Sequence, residues 1–172
     1  MTWPLERFIG HVYRAHNPRW AFAPDSGAGA AKHGGRFNPP GTAALYTSST
    51  YTLAIAEAQQ GFPYKFQPLT LVSYDIDHAG VLDLSTPAAR EAAGIPLAEL
   101  DCAWELLAFD KQTPPSWALA ARLIEQGVGA IAVPSFCDGA HELGINYVFW
   151  HWNQGDNPQV RVIDDDNRLR SR

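Results

Sequence analysis

Apolar residues alternate with polar ones from Phe8 to Ala15 ("FIGHVYRA") and again from Pro68 to Asp77 ("PLTLVSYDID"). A period of two marks a strand with one buried face, so both segments are read as strands. "AALYTS" (Ala43 to Ser48) and "GVLDLS" are shorter segments of the same kind, and "GAIAVPSF" (Gly129 to Phe136) is apolar enough for a strand buried on both faces. "INYVFWHW" and "QVRVID" close the chain as two further strands, candidates for a hairpin around "NQGDNP".

Between the strands the period changes to that of a helix. "STYTLAIAEAQQG" reads as a helix from Thr50 to Gln60, with Ser49 as its N-cap and Gly61 as its stop. "PAAREAAG" and "LAELDCAWELLAF" read as helical, the second with Leu97, Leu100, Trp104 and Leu107 on one face. "PPSWALAARLIEQG" carries Pro115 in its first turn and ends at Gly127. The stretch from Asn17 to His33 has no period and is expected to be a mobile loop in the free protein. Strands, then helices, then strands again is not the regular alternation of a doubly wound fold. The expectation is one α+β domain over residues 1–172, mostly antiparallel sheet with flanking helices.

Composition adds little to this but excludes some classes. The 172 residues suit one domain with a real core, and 46% hydrophobic with 18% charged is a globular balance. A net charge of -5 argues against a general nucleic-acid binder, though a local basic pocket can still hold a small anion. No apolar run approaches a membrane span, and the N-terminus lacks the apolar segment of a signal peptide. Cys102 and Cys137 have no zinc or C-x-x-C spacing and are expected to be reduced thiols in a cytoplasm. The histidines (His11, His16, His33, His78, His141, His151) form no H-E-x-x-H, and no metal site is expected.

Candidate chemistry concentrates in "KHGGRFNPPGTAALYTSSTYTLAIAEAQQGF", Lys32 to Phe62. Arg36 follows two glycines, which let a ligand approach the main chain, and its planar fork suits phosphate or carboxylate. Residue type alone favours an ordinary loop ion pair. Glu57 falls on the helix face of Leu53 and Ala54, so its carboxylate must be paired, hydrogen-bonded or at a cleft floor. Tyr46 is a core tyrosine or an aromatic wall for a flat ring. Ser135 ends a buried strand, where a polar group can face a site, and no G-x-S-x-G elbow surrounds it.

"GGRFNPPGTAALYTSSTYTLAIAE" closely resembles the core signature of RES-domain toxins, and "AIAVPSF" resembles the family's serine segment. The resemblance assigns the family's Arg, Glu and Ser to Arg36, Glu57 and Ser135, with Arg14 of "YRA" as a second arginine. Phe37 stands where tryptophan is common. The tail fits more loosely than an Asn-Pro-x-His ending, with Asn146 the nearest match. It implies a fold similar to ADP-ribosyltransferases and a toxin of a type II toxin–antitoxin pair. The implied partner is an Xre-type helix-turn-helix antitoxin covering the cleft. It implies NAD as substrate, cleaved by hydrolysis or phosphorolysis, or used to ADP-ribosylate a target protein.

The residues meet the needs of that chemistry. Arg14, Arg36 and the backbone at Gly35 would seat the pyrophosphate, and Tyr46 would wall the nicotinamide. Glu57 would stabilise the cation growing on the ribose, and Ser135 and Asn146 would contact the ligand. A non-catalytic module that binds a nucleotide or a partner protein through the same cleft is the competing reading.

Overall fold

A computed structural model describes residues 3–59 and 67–169. The long alternating segments become β1 (Leu5–His16) and β3 (Thr70–Asp83), which pair antiparallel along nearly their whole length. β3 joins into one strand the two that the sequence suggests. The register slips between Glu6 and Phe8, which oppose Val81 and His78, so Ala79 and Gly80 together face Arg7, a bulge of one extra residue that does not end the strand. The other edge of β3 changes partner across that bulge: β6 (Gln159–Val162) lies on Tyr74 to Asp77, and β4 (Ala130–Pro134) lies parallel to Val81 to Asp83.

β5 (Ile145–Phe149) pairs antiparallel with β4 and with β2 (Leu45–Ser48), and β2 returns to β1 at Tyr13 opposite Ser48. The order β1-β2-β5-β4-β3, with β1 also on β3, therefore closes into a ring, and β6 is added outside. All these pairings are antiparallel except β3–β4, as the sequence suggests. The suggested hairpin of the last two strands does not form. Asn153 replaces it: its side chain donates to Val160 O at 2.9 Å and accepts from Val160 N at 2.8 Å, turning β6 onto β3 instead.

The apolar run of β4 serves two cores. Ala130 and Ala132 face a cluster with Val12, Leu45, Tyr74, Ile76 and Phe149. Ile131 and Val133 face a second cluster with Leu82, Leu84, Ile95, Leu100, Leu119 and Leu123. That second cluster is roofed by α3 (Pro87–Ala93), α4 (Leu97–Leu100) and α6 (Pro115–Glu125), while α5 (Trp104–Phe109) buries no residue. The sequence reads 97–109 as one helix; the structure breaks it at 101–103. The carbonyls of Leu100 and Cys102 accept from Arg36 Nη1, at 3.2 and 2.9 Å. An arginine from a distant loop thus satisfies carbonyls at the break.

The stretch expected to be structureless is not. It holds a 3₁₀ turn (Pro18–Trp20) and α1 (Ala28–His33). Its middle is tied down at carbonyls: Tyr74 Oη donates to Pro24 O at 2.6 Å, Trp152 Nε1 to Asp25 O at 3.0 Å, and Arg14 Nη1 to Pro24 O and Ser26 O. These donors lie far along the chain or on a neighbouring strand, so no local period announces them.

Candidate active site

A cleft of about 770 Å³ opens between β2, α2 (Tyr51–Gln59) and the 34–38 turn. Arg14, Gly35, Arg36, Tyr46, Glu57 and Asn146 all line it. Ser135 does not: it is 1% exposed and lies behind the wall.

α2 is capped by Thr50, whose Oγ1 accepts from Leu53 N at 3.2 Å; the expected cap, Ser49, instead accepts from Ile145 N at 3.0 Å. The expected stop, Gly61, lies outside the described residues. Leu53 and Ala54 are buried as the helical period requires, and Glu57, one turn on, is half-buried at the cleft wall. Its Oε1 accepts from Asn146 Nδ2 at 2.6 Å and from Ser135 Oγ at 2.8 Å. Ser135 Oγ itself accepts from Cys137 N at 3.1 Å, which fixes its proton toward Glu57. The carboxylate is thus held by neutral donors on one oxygen, and no cation among the described residues pairs with it. Residues far apart in sequence, Glu57, Ser135 and Asn146, meet at one atom.

The arginine side is built on a tight turn. Gly35 N donates to Asn38 O at 2.9 Å, and Asn38 N returns to Gly35 O at 3.3 Å. Indoles pin its carbonyls: Trp117 Nε1 donates to Gly35 O at 2.8 Å, and Trp150 Nε1 to Phe37 O at 3.0 Å. Asn38, fully buried, donates to Ala30 O and Thr42 O and accepts from Tyr46 Oη at 2.7 Å. Tyr46 Oη accepts in turn from Phe37 N at 2.9 Å. A Cβ on Gly35 would stand 2.5 Å from that hydroxyl, so glycine is required there by close approach. Burial pushes the Tyr46 phenol well above its usual range, so it stays a neutral donor.

Arg36 stacks on Phe136, 4.6 Å from guanidinium carbon to ring centroid. Neither Arg36 nor Arg14 forms an ion pair among the described residues, so the loop ion pair that residue type favours for Arg36 is not what holds it. Both donate to backbone carbonyls and line the cleft. Tyr13, Trp104 and Phe136 add aromatic wall, and Glu105 and Asp138 add acidic rim. Asn38, Phe136 and Ser48 also contribute to the site, and Trp104, on a helix face in the sequence, turns out to line the cleft. Asn38 had a signal, since it stands inside the Gly-Gly-Arg-Phe-Asn motif. The described residues contain no group of His, Cys, Asp and Glu able to hold a metal ion, and no helix long and apolar enough to cross a membrane.

The described residues thus form an α+β ring with a cleft that sets two arginines against a glutamate held by neutral donors. The RES domain family model matches residues 11–171, and the chain belongs to that family. Its structure is similar to a chain in the crystal structure of the M. tuberculosis MbcT-MbcA toxin-antitoxin complex, with a TM-score of 0.63 and 20% identity. The match covers 93% of this chain and 84% of that one; at this identity it speaks for the fold. No curated protein matches the chain.

Proposed function

We propose that this protein is the toxin of a toxin–antitoxin pair and that it cleaves the bond between nicotinamide and ribose in NAD. The observation that carries the reading is the Glu57 carboxylate, gripped at Oε1 by Ser135 and Asn146 on the wall of a cleft that also holds Arg14 and Arg36. The diphosphate sits against the two guanidiniums and the nicotinamide lies on Tyr46; the expected Gly35 backbone contact falls away, because its N–H already donates to Asn38 O. The glycosidic C–N bond breaks with its electron pair leaving on nicotinamide, which departs neutral. Positive charge grows on the ribose, and Glu57, fixed before the ligand arrives, stabilises it without reorganising. Water then adds through oxygen and loses a proton, or phosphate adds in its place. Ser135 acts from behind the wall, on Glu57.

In this reading an Xre-type antitoxin covers the cleft. The neighbour's toxin-antitoxin complex supports a partner. So does α5, which lends Trp104 and Glu105 to the cleft and leaves Leu106 and Phe109 exposed beside it.

The test incubates antitoxin-free protein with NAD, with and without phosphate, and identifies the products by mass spectrometry. Release of nicotinamide with ADP-ribose or its 1″-phosphate is expected. Glu57→Gln should keep NAD binding and lose turnover by roughly 100-fold or more. Full turnover by Glu57→Gln would remove Glu57 from the mechanism. Folded protein that binds NAD and leaves it intact would point to a protein acceptor, visible as mass added to one target, or to a binding module.

A further inference from the structure

Ser48 has no place in the chemistry above, yet it sits at the end of the chain of bonds that leads to Glu57. It is 3% exposed, and its Oγ donates to Asn146 Oδ1 at 2.7 Å. Ser48 and Asn146 are directly opposed across β2 and β5, so the strand register itself puts both side chains on one face. Asn146 then donates from Nδ2 to Glu57 Oε1 at 2.6 Å.

An amide has two ends, and only one of them can face a carboxylate. With Oδ1 anchored by the Ser48 hydroxyl, Nδ2 is the end left for Glu57. The bond also polarises the amide, which strengthens the donor at its other end. Ser48 itself does not touch Glu57, so its effect passes through Asn146.

We infer that Ser48 is a positioning residue: through Asn146 it fixes where Glu57 Oε1 lies, and leaves the other carboxylate oxygen to the ligand. This rests on the NAD-cleaving reading for its consequence in turnover, but not for the bond itself.

Two measurements test it. In the first, Ser48→Ala is expected to lower kcat by roughly 5- to 50-fold with KM for NAD little changed. Ser48→Thr, which keeps a hydroxyl, is expected to recover most of that loss. Combined with Asn146→Ala, Ser48→Ala should add nothing, because its route to Glu57 is already cut. Full activity of Ser48→Ala, or a loss that multiplies with that of Asn146→Ala, would overturn the proposal. The second measurement needs no turnover: NMR of the Asn146 side-chain amide. Its protons should exchange slowly with solvent in the wild type and faster in Ser48→Ala at equal thermal stability. Unchanged exchange would overturn the proposal even if the protein proved not to cleave NAD. Wild type that leaves NAD intact would count against the reaction alone, with the amide signal still deciding the role of Ser48.

Discussion

The Tyr46 hydroxyl joins two parts of the turn that carries Arg36: it donates to Asn38 Oδ1 and accepts from Phe37 N. Tyr46→Phe keeps the ring in the cleft and leaves a buried amide and a buried carbonyl each short of a partner. A loss of about 1–3 kcal/mol in folding stability is expected, read from urea unfolding, with weaker NAD binding by calorimetry. Unchanged stability would mean that the turn is held elsewhere. Gly35→Ala strikes the same spot from the other side and should also destabilise, because its methyl meets the hydroxyl and Asn38 Oδ1 at 2.9 Å. Taken singly, Arg36, Glu57 and Ser135 read as ordinary residues, and only the motif and the resemblance set them together; the structure places Arg36 and Glu57 in the cleft and Ser135 behind its wall. The weight of Asn38 and Ser48 is not legible, since it lies in the partners that folding brings to them.

Thr47 to Thr50 shows a device that belongs to a whole segment. Their hydroxyls each reach the 143–147 strip: Thr47 to Tyr147 O, Ser48 to Asn146 Oδ1, Ser49 from Ile145 N, and Thr50 to Leu143 O. Gly144, at φ +140°, leaves room for Ser49, where any Cβ would collide with its Oγ. The segment welds β2 and the start of α2 to β5, the two walls between which Glu57 and Asn146 meet. Thr50→Ala removes the cap of α2 and should cost about 1 kcal/mol or more by thermal unfolding. Ser49→Ala should leave the helix cap intact, and an equal loss of helix in both variants would contradict the assignment of the cap. The helix is legible in the sequence, but its cap is not, because Ser49 and Thr50 are equivalent until β5 takes up the Ser49 hydroxyl. The break between α4 and α5 is likewise hidden, because the Arg36 side chain that satisfies its carbonyls comes from a distant loop.

Two buried histidines set how the folded molecule responds to acid. His78 is 1% exposed; its Nε2 bonds His151 O, and its Nδ1 accepts from Gly80 N, which fits only the neutral ring. His16 Nε2 is the buried side-chain polar atom without a partner among the described residues. Burial lowers the pKa of both below the ordinary value, more than the carbonyl bonds of His151 and Asn17 raise it. The unfolded chain then binds more protons than the folded one once pH falls below about 6.5. Stability is complete above that pH and is lost as pH falls through it, by up to about 1.4 kcal/mol per unit for each ring. Chemical unfolding from pH 8 to 5 should show the decline, and a flat profile would refute it. The α+β class and its antiparallel bias were legible from the periods. The closed ring was not, because register and strand order are set by contacts between distant parts of the chain.

That ring has a consequence for the cell that makes the protein. Arg14, Arg36 and Glu57 emerge early from the ribosome, but the wall that fixes Glu57 needs Ser135 and Asn146, the latter 89 positions after it. β2, which meets β1 only at Tyr13 opposite Ser48, also waits for β5 to pair along its length. A message cut short before residue 146, or a ribosome stalled there, yields a fragment with its anion seat in sequence and its carboxylate unheld. Under the proposed NAD-cleaving reading, plasmids encoding such fragments should leave host growth unaffected while the full chain arrests it, so that any harm begins only when translation has nearly finished.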